Sequence, residues 1–197
     1  MIALILLFLL LPVRGLADCV EDAALSYRIS PLLLRAIESV ESGGNPYALS
    51  IQTINPKFLK SLLDKLGIKY TMRPYKGRVL FSVQPSSKQE AEQVLNFLKS
   101  SPGVVTYDVG LMQVNKLWIE KYNLRPEWLL DACYNAKWGA YVLAKMIAKY
   151  GYSWDAVWHY NGKKSYAWRV FRKIKDLCRS KSSGFEYCRL ITQGGKE

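Results

Sequence analysis

The hydrophobic pattern of this 197-residue chain changes twice along its length. Up to about residue 50, and again after about residue 106, apolar residues recur at the spacing of amphipathic α-helices. The segment between alternates around Lys76-Gly77 like a β-hairpin, with a helical pattern on either side of it and one more strand-like run at its end. The pattern therefore predicts a helical domain formed by 18–50 and 106–180, interrupted by a small α/β insertion at 51–105.

Capping residues mark the limits of several predicted helices. Ser30-Pro31 begins a helix that ends near Glu41, and Asp131 begins a long helix that Gly151 ends. A basic helix over about 165–179 has an apolar face that includes Tyr166, which we interpret as a core stripe. Residues 181–197 are then expected to form a C-terminal tail.

The first residues predict export from the cytoplasm. An apolar run from Ile2 to Val13 precedes Gly15-Leu16-Ala17. This run is too short to span a bilayer and is typical of a secretory signal peptide, here at 1–17. Because no Lys or Arg precedes it, an uncleaved membrane anchor is the alternative. A periplasmic or otherwise exported location is expected.

The four cysteines indicate two disulfides, since they occur in a chain expected to be exported. They allow three pairings, and the sequence alone does not choose among them. Cys178 and Cys188 are close enough to close a short loop, which leaves Cys19 with Cys133. With no CxxC spacing and a single histidine, a zinc site is not expected, and we predict no metal and no cofactor.

The net charge of +12 favours an anionic partner. An exported protein meets peptidoglycan, anionic lipid and lipopolysaccharide before it meets DNA, so no nucleic-acid partner is expected. The segment 51–105 contains nine Lys and Arg residues against three Asp and Glu residues, which is about half of the excess positive charge.

Glu41 stands where an apolar helix stops, before Ser42 and the sequence Gly-Gly-Asn-Pro. On a helical wheel it falls at the edge of the apolar stripe, whereas Glu38 lies further round towards solvent. Partial burial and the negative end of the helix dipole both raise the pKa of a carboxyl group, which suits a general acid. From position alone, an ordinary glutamate in the last helical turn is the alternative.

Three stretches become informative when they are read together. They are ESGGNPYA at 41–48, YDVGLMQVN at 107–115 and AVWHYNG at 156–162. This trio resembles the family 23 lytic transglycosylases, the soluble lytic transglycosylase domain with a goose-lysozyme-like fold, especially small exported members that serve secretion systems, conjugation or pili. The resemblance covers about 19–50 and 106–175. It implies a mainly α, lysozyme-like α+β fold with the α/β insertion between the first and second motifs.

The resemblance also implies roles for individual residues. Glu41 matches the catalytic acid, and Gln113 matches a position that holds the N-acetyl group of a sugar. The tyrosine of the third motif is thought to place its hydroxyl close to the catalytic carboxylate. The remaining matches line, shape or support the substrate cleft, and the full set beside Glu41 is Ser42, Met112, Gln113, Asn115, Tyr160 and Asn161.

The reaction implied by the resemblance needs one carboxylate. Glu41 would protonate the oxygen between N-acetylmuramic acid and N-acetylglucosamine, while the 2-acetamido group of the substrate stabilises the charge that develops. The same carboxylate would then deprotonate the 6-hydroxyl, which closes to an anhydro ring without consuming water. We interpret Asp108, beside the second motif, as structural, and His159 as a helix-end residue with a structural or solvent role.

The expected partners are peptidoglycan glycan strands, with components of a secretion system or pilus as further candidates for the insertion at 51–105. A monomer is expected. Two alternatives differ in function. One is a lysozyme-type hydrolase, and the other is a noncatalytic wall-binding assembly factor, against which the intact Glu41 argues.

Overall fold

The computed structural model describes residues 18–179 and residue 188. The helices and strands are, in chain order, α1 Cys19–Ser26, α2 Pro31–Glu41, β1 Leu49–Thr53, α3 Pro56–Leu66, β2 Lys69–Tyr75, β3 Arg78–Gln84, α4 Lys88–Ser100, β4 Val104–Val109, β5 Val114–Asn115, α5 Lys116–Lys121, a short 3-10 helix Pro126–Leu130, α6 Ala132–Tyr150, α7 Trp154–Asn161 and α8 Lys164–Arg179. The predicted signal peptide at 1–17 and, apart from Cys188, the predicted tail at 181–197 lie outside the described residues.

The predicted helix limits follow from side-chain caps. The Ser30 hydroxyl accepts a hydrogen bond from the Leu33 N–H at 3.4 Å, and the Asp131 carboxylate accepts one from the Tyr134 N–H at 2.7 Å. Each bond satisfies a backbone donor that has no partner within the helix. The prediction of a mainly helical fold with a small α/β part is confirmed.

The five strands form one antiparallel sheet in the order β2-β3-β1-β4-β5. Strand β1 lies at its centre, where Leu49 pairs with Val83 on one side and with Val109 on the other. The predicted limits of the insertion at 51 and 105 both fall inside strands, β1 and β4. The insertion therefore shares its sheet with the segment that carries the second motif, and cutting the chain at these limits would divide two strands.

Two groups of buried residues make up the core. Helices α1, α2, α6, α7 and α8 enclose one group, which includes Leu34, Ile37 and Leu143. The sheet, α3, α4 and the 3-10 helix enclose the other, which includes Ile51 and Phe81. Among residues 18–179, no helix is long and apolar enough to cross a bilayer.

Both predicted disulfides are confirmed. Cys19 at the start of α1 is bonded to Cys133 in the first turn of α6, across 114 positions of sequence. Cys178 near the end of α8 is bonded to Cys188 and closes a loop with a sequence separation of 10. The first disulfide fixes the beginning of the helical part to its longest helix.

Candidate active site

A cleft of about 580 Å³ lies between the helical part and the sheet. Its walls come from the end of α2, from strands β1 to β5, and from the end of α7 with the start of α8. Five of the predicted site residues line it: Glu41, Gln113, Asn115, Tyr160 and Asn161. The cleft also receives Asp108 and His159, so residues from all three motifs meet in one place.

Glu41 is positioned by the abrupt end of α2. The Ser42 N–H donates to the Glu38 carbonyl at 3.0 Å, and Gly43 and Gly44 then adopt φ angles of +66° and +90°. The Ser42 hydroxyl donates to the Glu38 carbonyl at 3.4 Å and accepts from the Gly44 N–H at 3.1 Å. Ser42 is buried and shapes this turn from behind the cleft.

The same turn overturns the prediction that Glu38 faces solvent. Glu38 is only 6% exposed, and its carboxylate pairs with the Arg35 guanidinium at 2.7 Å. The turn folds back over it, so that a Cβ on Gly44 would lie 3.5 Å from Glu38 Oε1. A helical wheel ranks faces by the apolarity of the helix itself and does not include a loop that covers the polar face.

Burial raises the pKa of Glu41 to about 7. A polar contact with the Tyr166 hydroxyl acts in the opposite direction, whereas the charge of Asp108 raises the pKa further. Arg169 and Asn161 also favour the ionised form. Near neutral pH both protonation states of Glu41 are therefore populated, as a group that acts first as acid and then as base requires.

Asp108 is a second, partly buried carboxyl group in the cleft. Burial raises its pKa to about 6, and a hydrogen bond from Asn115 acts against this shift. The Asn115 amide donates to Asp108 Oδ1 at 2.6 Å and to the Thr106 hydroxyl at 3.2 Å, and its oxygen accepts from the Leu117 N–H at 3.0 Å. Asn115 thus fixes Asp108 on β4 and caps α5.

Gln113 presents an acceptor to the cleft. Its side-chain nitrogen donates to the carbonyls of Ala48 and Gly110, each at 2.9 Å. Because both amide hydrogens are used, the amide oxygen remains to accept a hydrogen bond from a ligand. The φ of Gln113 is +49°, so this side chain is held by an unusual backbone conformation.

Asn135 on α6 holds the backbone of the second motif in place. This fully buried side chain accepts from the Met112 N–H at 2.7 Å and donates to the carbonyls of Val109 at 2.8 Å and Leu129 at 2.7 Å. A Cβ on Gly110 would lie 2.2 Å from Asn135 Nδ2, so only glycine fits there. Asn135 was not predicted as a functional residue.

Met112 contributes through its backbone, because its side chain is fully buried against Gly139 of α6. Its carbonyl accepts a hydrogen bond from the Tyr160 hydroxyl at 2.8 Å. The Tyr160 hydroxyl thereby ties α7 to the second motif. The ring of Tyr160 stacks on that of Tyr166 with 6.4 Å between centroids.

Tyr166 is another site residue that the sequence did not predict, since its position in the apolar face of α8 is typical of a core residue. Among side-chain atoms of the described residues, its hydroxyl is the buried polar atom without a hydrogen-bond partner at standard geometry. It nevertheless interacts with the Glu41 carboxyl, which indicates a long or poorly aligned contact. The sequence did contain one indication that Tyr166 belongs to the site. Tyr166 follows closely after the Tyr160-Asn161 pair, and Arg169 lies three residues further along, on the same face of the helix.

His159 is held by its neighbours. Its ring stacks on Tyr150 and Trp158, with centroid distances of 3.7 Å and 3.4 Å, and its Nδ1 lies 2.7 Å from the Asp155 carbonyl oxygen. These contacts are those of a structural residue that supports the wall of the cleft.

We expect the raised pKa of Glu41 to reduce stability as pH rises. Below about 4.5 the carboxyl is protonated in both states, whereas between 4.5 and about 7 only the folded protein retains the proton. The free energy of unfolding therefore falls through this window by about 3 kcal/mol for this group. In urea unfolding at about pH 5 and about pH 8, Glu41→Gln should gain stability relative to the parent protein at the higher pH. A difference between the two proteins that does not change with pH would contradict this.

Comparison with known proteins adds an independent finding. The family profile described as "Transglycosylase SLT domain" matches residues 18–182. "Invasion protein IagB" of Salmonella typhimurium strain SL1344 is 36% identical over 86 residues, which covers 36% of this chain and 54% of that protein. "X polypeptide" of Escherichia coli is 30% identical over 149 residues, which covers 74% of this chain and 59% of that protein. The chain spans about half the length of the curated relatives it matches, and no solved structure matches it significantly.

Proposed function

This chain belongs to the transglycosylase SLT domain family, and from that membership we propose that it is a family 23 peptidoglycan lytic transglycosylase. It would cleave the β-1,4 bond between N-acetylmuramic acid and N-acetylglucosamine and leave a 1,6-anhydro-muramoyl end. The observation that carries the proposal is Glu41, a carboxyl at the end of α2 whose pKa burial raises to about 7 in a cleft built from all three motifs.

The mechanism uses both protonation states of Glu41. The protonated carboxyl donates its proton to the glycosidic oxygen as the bond to the anomeric carbon breaks. The 2-acetamido group of the substrate stabilises the positive charge, so the enzyme needs no second carboxylate as nucleophile. The Glu41 carboxylate then takes the proton of the 6-hydroxyl, whose oxygen bonds to the anomeric carbon. Glu41 ends the cycle protonated, and no water is consumed.

The surrounding residues orient the substrate and the acid. The free amide oxygen of Gln113 is suited to accept the N–H of an N-acetyl group. Tyr166 and Asn161 contact the Glu41 carboxyl and favour its ionised form, which stabilises the carboxylate after it has released its proton. In this proposal Tyr160 is a positioning residue, because its hydroxyl bonds to the Met112 carbonyl.

Tyr166→Phe tests whether the buried hydroxyl serves Glu41. Because its contact lowers the Glu41 pKa, its removal should move the alkaline limb of the kcat/KM profile to higher pH. Because this contact is long or poorly aligned, kcat should fall by less than about tenfold, which is the value of a well-formed hydrogen bond to a charged group. Stability should be equal or higher, since the hydroxyl has no hydrogen-bond partner of standard geometry among the described residues. A variant with an unchanged pH profile would assign Tyr166 to the core alone.

A digestion of purified sacculi tests the proposed activity. Parent protein should release soluble muropeptides, and the rate of release should fall as pH rises above about 7, where Glu41 loses its proton. A noncatalytic wall-binding factor would bind the sacculi and release nothing. That result would contradict the proposed activity and favour the noncatalytic wall-binding factor.

Lysozyme-type hydrolysis is the second candidate, and one observation favours it. Asp108 is a second carboxyl group in the cleft, with a pKa of about 6, and would be largely ionised at neutral pH. Its hydrogen bond from Asn115 suits a structural anchor equally well. Asp108→Asn should keep this contact and much of the activity of a transglycosylase, whereas loss of all product would favour a two-carboxylate hydrolase.

We also propose that the enzyme is exported to the periplasm and opens the wall locally for a secretion or pilus apparatus, with the α/β insertion available to contact its components. Support comes from the word "invasion" in the name of the Salmonella relative. Deletion of the gene should impair assembly of such an apparatus without altering cell shape. Normal assembly in the deletion strain would contradict this part of the proposal.

A further inference from the structure

A second pocket of about 550 Å³ opens beside the catalytic cleft. Its walls come from the β2–β3 hairpin, from β4 and from the start of α5. Gln52, Tyr75, Asn115 and Leu117 line both cavities. A ligand bound at Glu41 could therefore extend from one cavity into the other along a continuous surface.

The second pocket has a positive rim. Lys76 and Arg78 at the hairpin turn and Lys116 at the start of α5 line it, against one carboxylate, Glu120. Glu120 is already paired with Lys116 at 3.5 Å. Within residues 18–179, neither Lys76 nor Arg78 has a carboxylate partner. Two cations thus face this cavity with no counter-charge from that part of the chain.

The hairpin turn that carries these cations is fixed against the cleft. Lys76 and Gly77 have φ angles of +48° and +73°, the backbone of a tight two-residue hairpin turn. On the far side of the cleft, Lys163 after α7 places its ammonium group 4.6 Å from the centroid of the Tyr75 ring. This cation–π contact joins the hairpin to the opposite lip, so Tyr75 stands between the two cavities at a defined position.

We propose that the second pocket binds the carboxylates of the stem peptide attached to the muramic acid that occupies the catalytic cleft. The inference rests on the proposed function, because it takes the glycan strand at Glu41 as given. The β-1,4-linked sugars themselves offer hydroxyl and acetamido groups, whereas the attached peptide carries free carboxylates. A neighbouring cavity lined by a Lys and an Arg that have no carboxylate partner within residues 18–179 is suited to the charged part of the same polymer. The insertion then selects strands that still carry peptides.

The test compares two substrates, intact sacculi and the same glycan strands after an amidase has removed their peptides. Lys76→Gln/Arg78→Gln should lower kcat/KM for the peptide-bearing substrate by about fivefold to tenfold, mainly through KM, since exposed charge pairs are individually weak. The preference for peptide-bearing strands shown by the parent should shrink by the same factor. Lys65→Gln/Lys69→Gln is the matched control, because it removes two exposed charges of the same insertion at the other end of β2. It should keep the parent preference.

The outcomes separate the two proposals. If parent protein releases product from both substrates and Lys76→Gln/Arg78→Gln retains its preference, the peptide site is wrong and the proposed activity stands. An equal loss of preference in Lys65→Gln/Lys69→Gln would also contradict the peptide site, because the net charge of the insertion would then explain the effect. If parent protein releases no product from either substrate, the proposed function fails and this inference with it.

Discussion

Glu41→Gln is expected to lower kcat by a factor on the order of 10² to 10⁴, the usual contribution of a general acid or base. Glutamine keeps the size of the side chain and its hydrogen-bonding shape but cannot transfer a proton. The contacts of Tyr166 and Asn161 with this side chain give the amide a place to bond, so the cleft should keep its structure. The effect is measured by comparing turnover of purified sacculi by the parent protein and the variant. Because one carboxyl performs both proton transfers, the decrease in kcat should lie towards the upper end of this range.

The control for this experiment is Glu21→Gln on α1. Glu21 is exposed and lies outside the cleft, so the same chemical change should leave turnover near the parent value. Glu38 is unsuitable as a control because it is buried and paired with Arg35, and its replacement would leave that charge without one of its partners. Substantial release of anhydro-muropeptides by Glu41→Gln, together with inactive Asp108 or His159 variants, would assign the proton to another residue.

Asn135→Ala is expected to destabilise the protein by about 3 to 5 kcal/mol, because it leaves three buried backbone groups without their hydrogen-bond partner. The groups are the Met112 N–H and the carbonyls of Val109 and Leu129. Urea unfolding measures the loss. We also expect a lower kcat in the protein that remains folded, since the turn before Gln113 loses its anchor.

Asn96→Ala is the matched control, because Asn96 lies exposed on α4 and, among residues 18–179, the hydrogen bond of its side chain is one accepted from Lys99 at 3.2 Å. Its effect should be about 0.5 kcal/mol or less, the usual range for surface positions. If Asn135→Ala unfolded at the same urea concentration as Asn96→Ala, the second motif would not depend on α6 for its conformation.

Local patterns in the sequence were sufficient to predict most helices and the hairpin. The caps Ser30 and Asp131 act within one helical turn, and the alternation around Lys76-Gly77 repeats over two strands, so neither depends on distant residues. Strand β1 was missed because it contributes only five residues, and its partners Val83 and Val109 lie far along the chain. The predicted limit of the insertion at residue 51 falls inside β1, so without that strand the sequence could not show where the insertion begins.

In the candidate site, too, residues within motifs could be predicted from the sequence, whereas residues brought there by tertiary packing could not. Glu41, Gln113 and Asn161 belong to motifs, so the sequence was enough to predict that they lie in one cleft. Tyr166 has the spacing of a core residue, and only the position of α8 beside the end of α2 turns its hydroxyl into a neighbour of Glu41. Tyr75 reaches the cleft because β2 and β3 join the sheet beside β1, a pairing that no local pattern specifies.

The mass of the released products tests the central claim most directly. Purified sacculi are digested by the parent protein in water enriched in heavy oxygen, and the muropeptides are analysed by mass spectrometry. A lytic transglycosylase in which Glu41 closes the 6-hydroxyl onto the anomeric carbon should yield anhydro ends that are lighter by one water and contain no solvent oxygen. Reducing ends that have gained an oxygen atom from the solvent would contradict this account and identify a hydrolase.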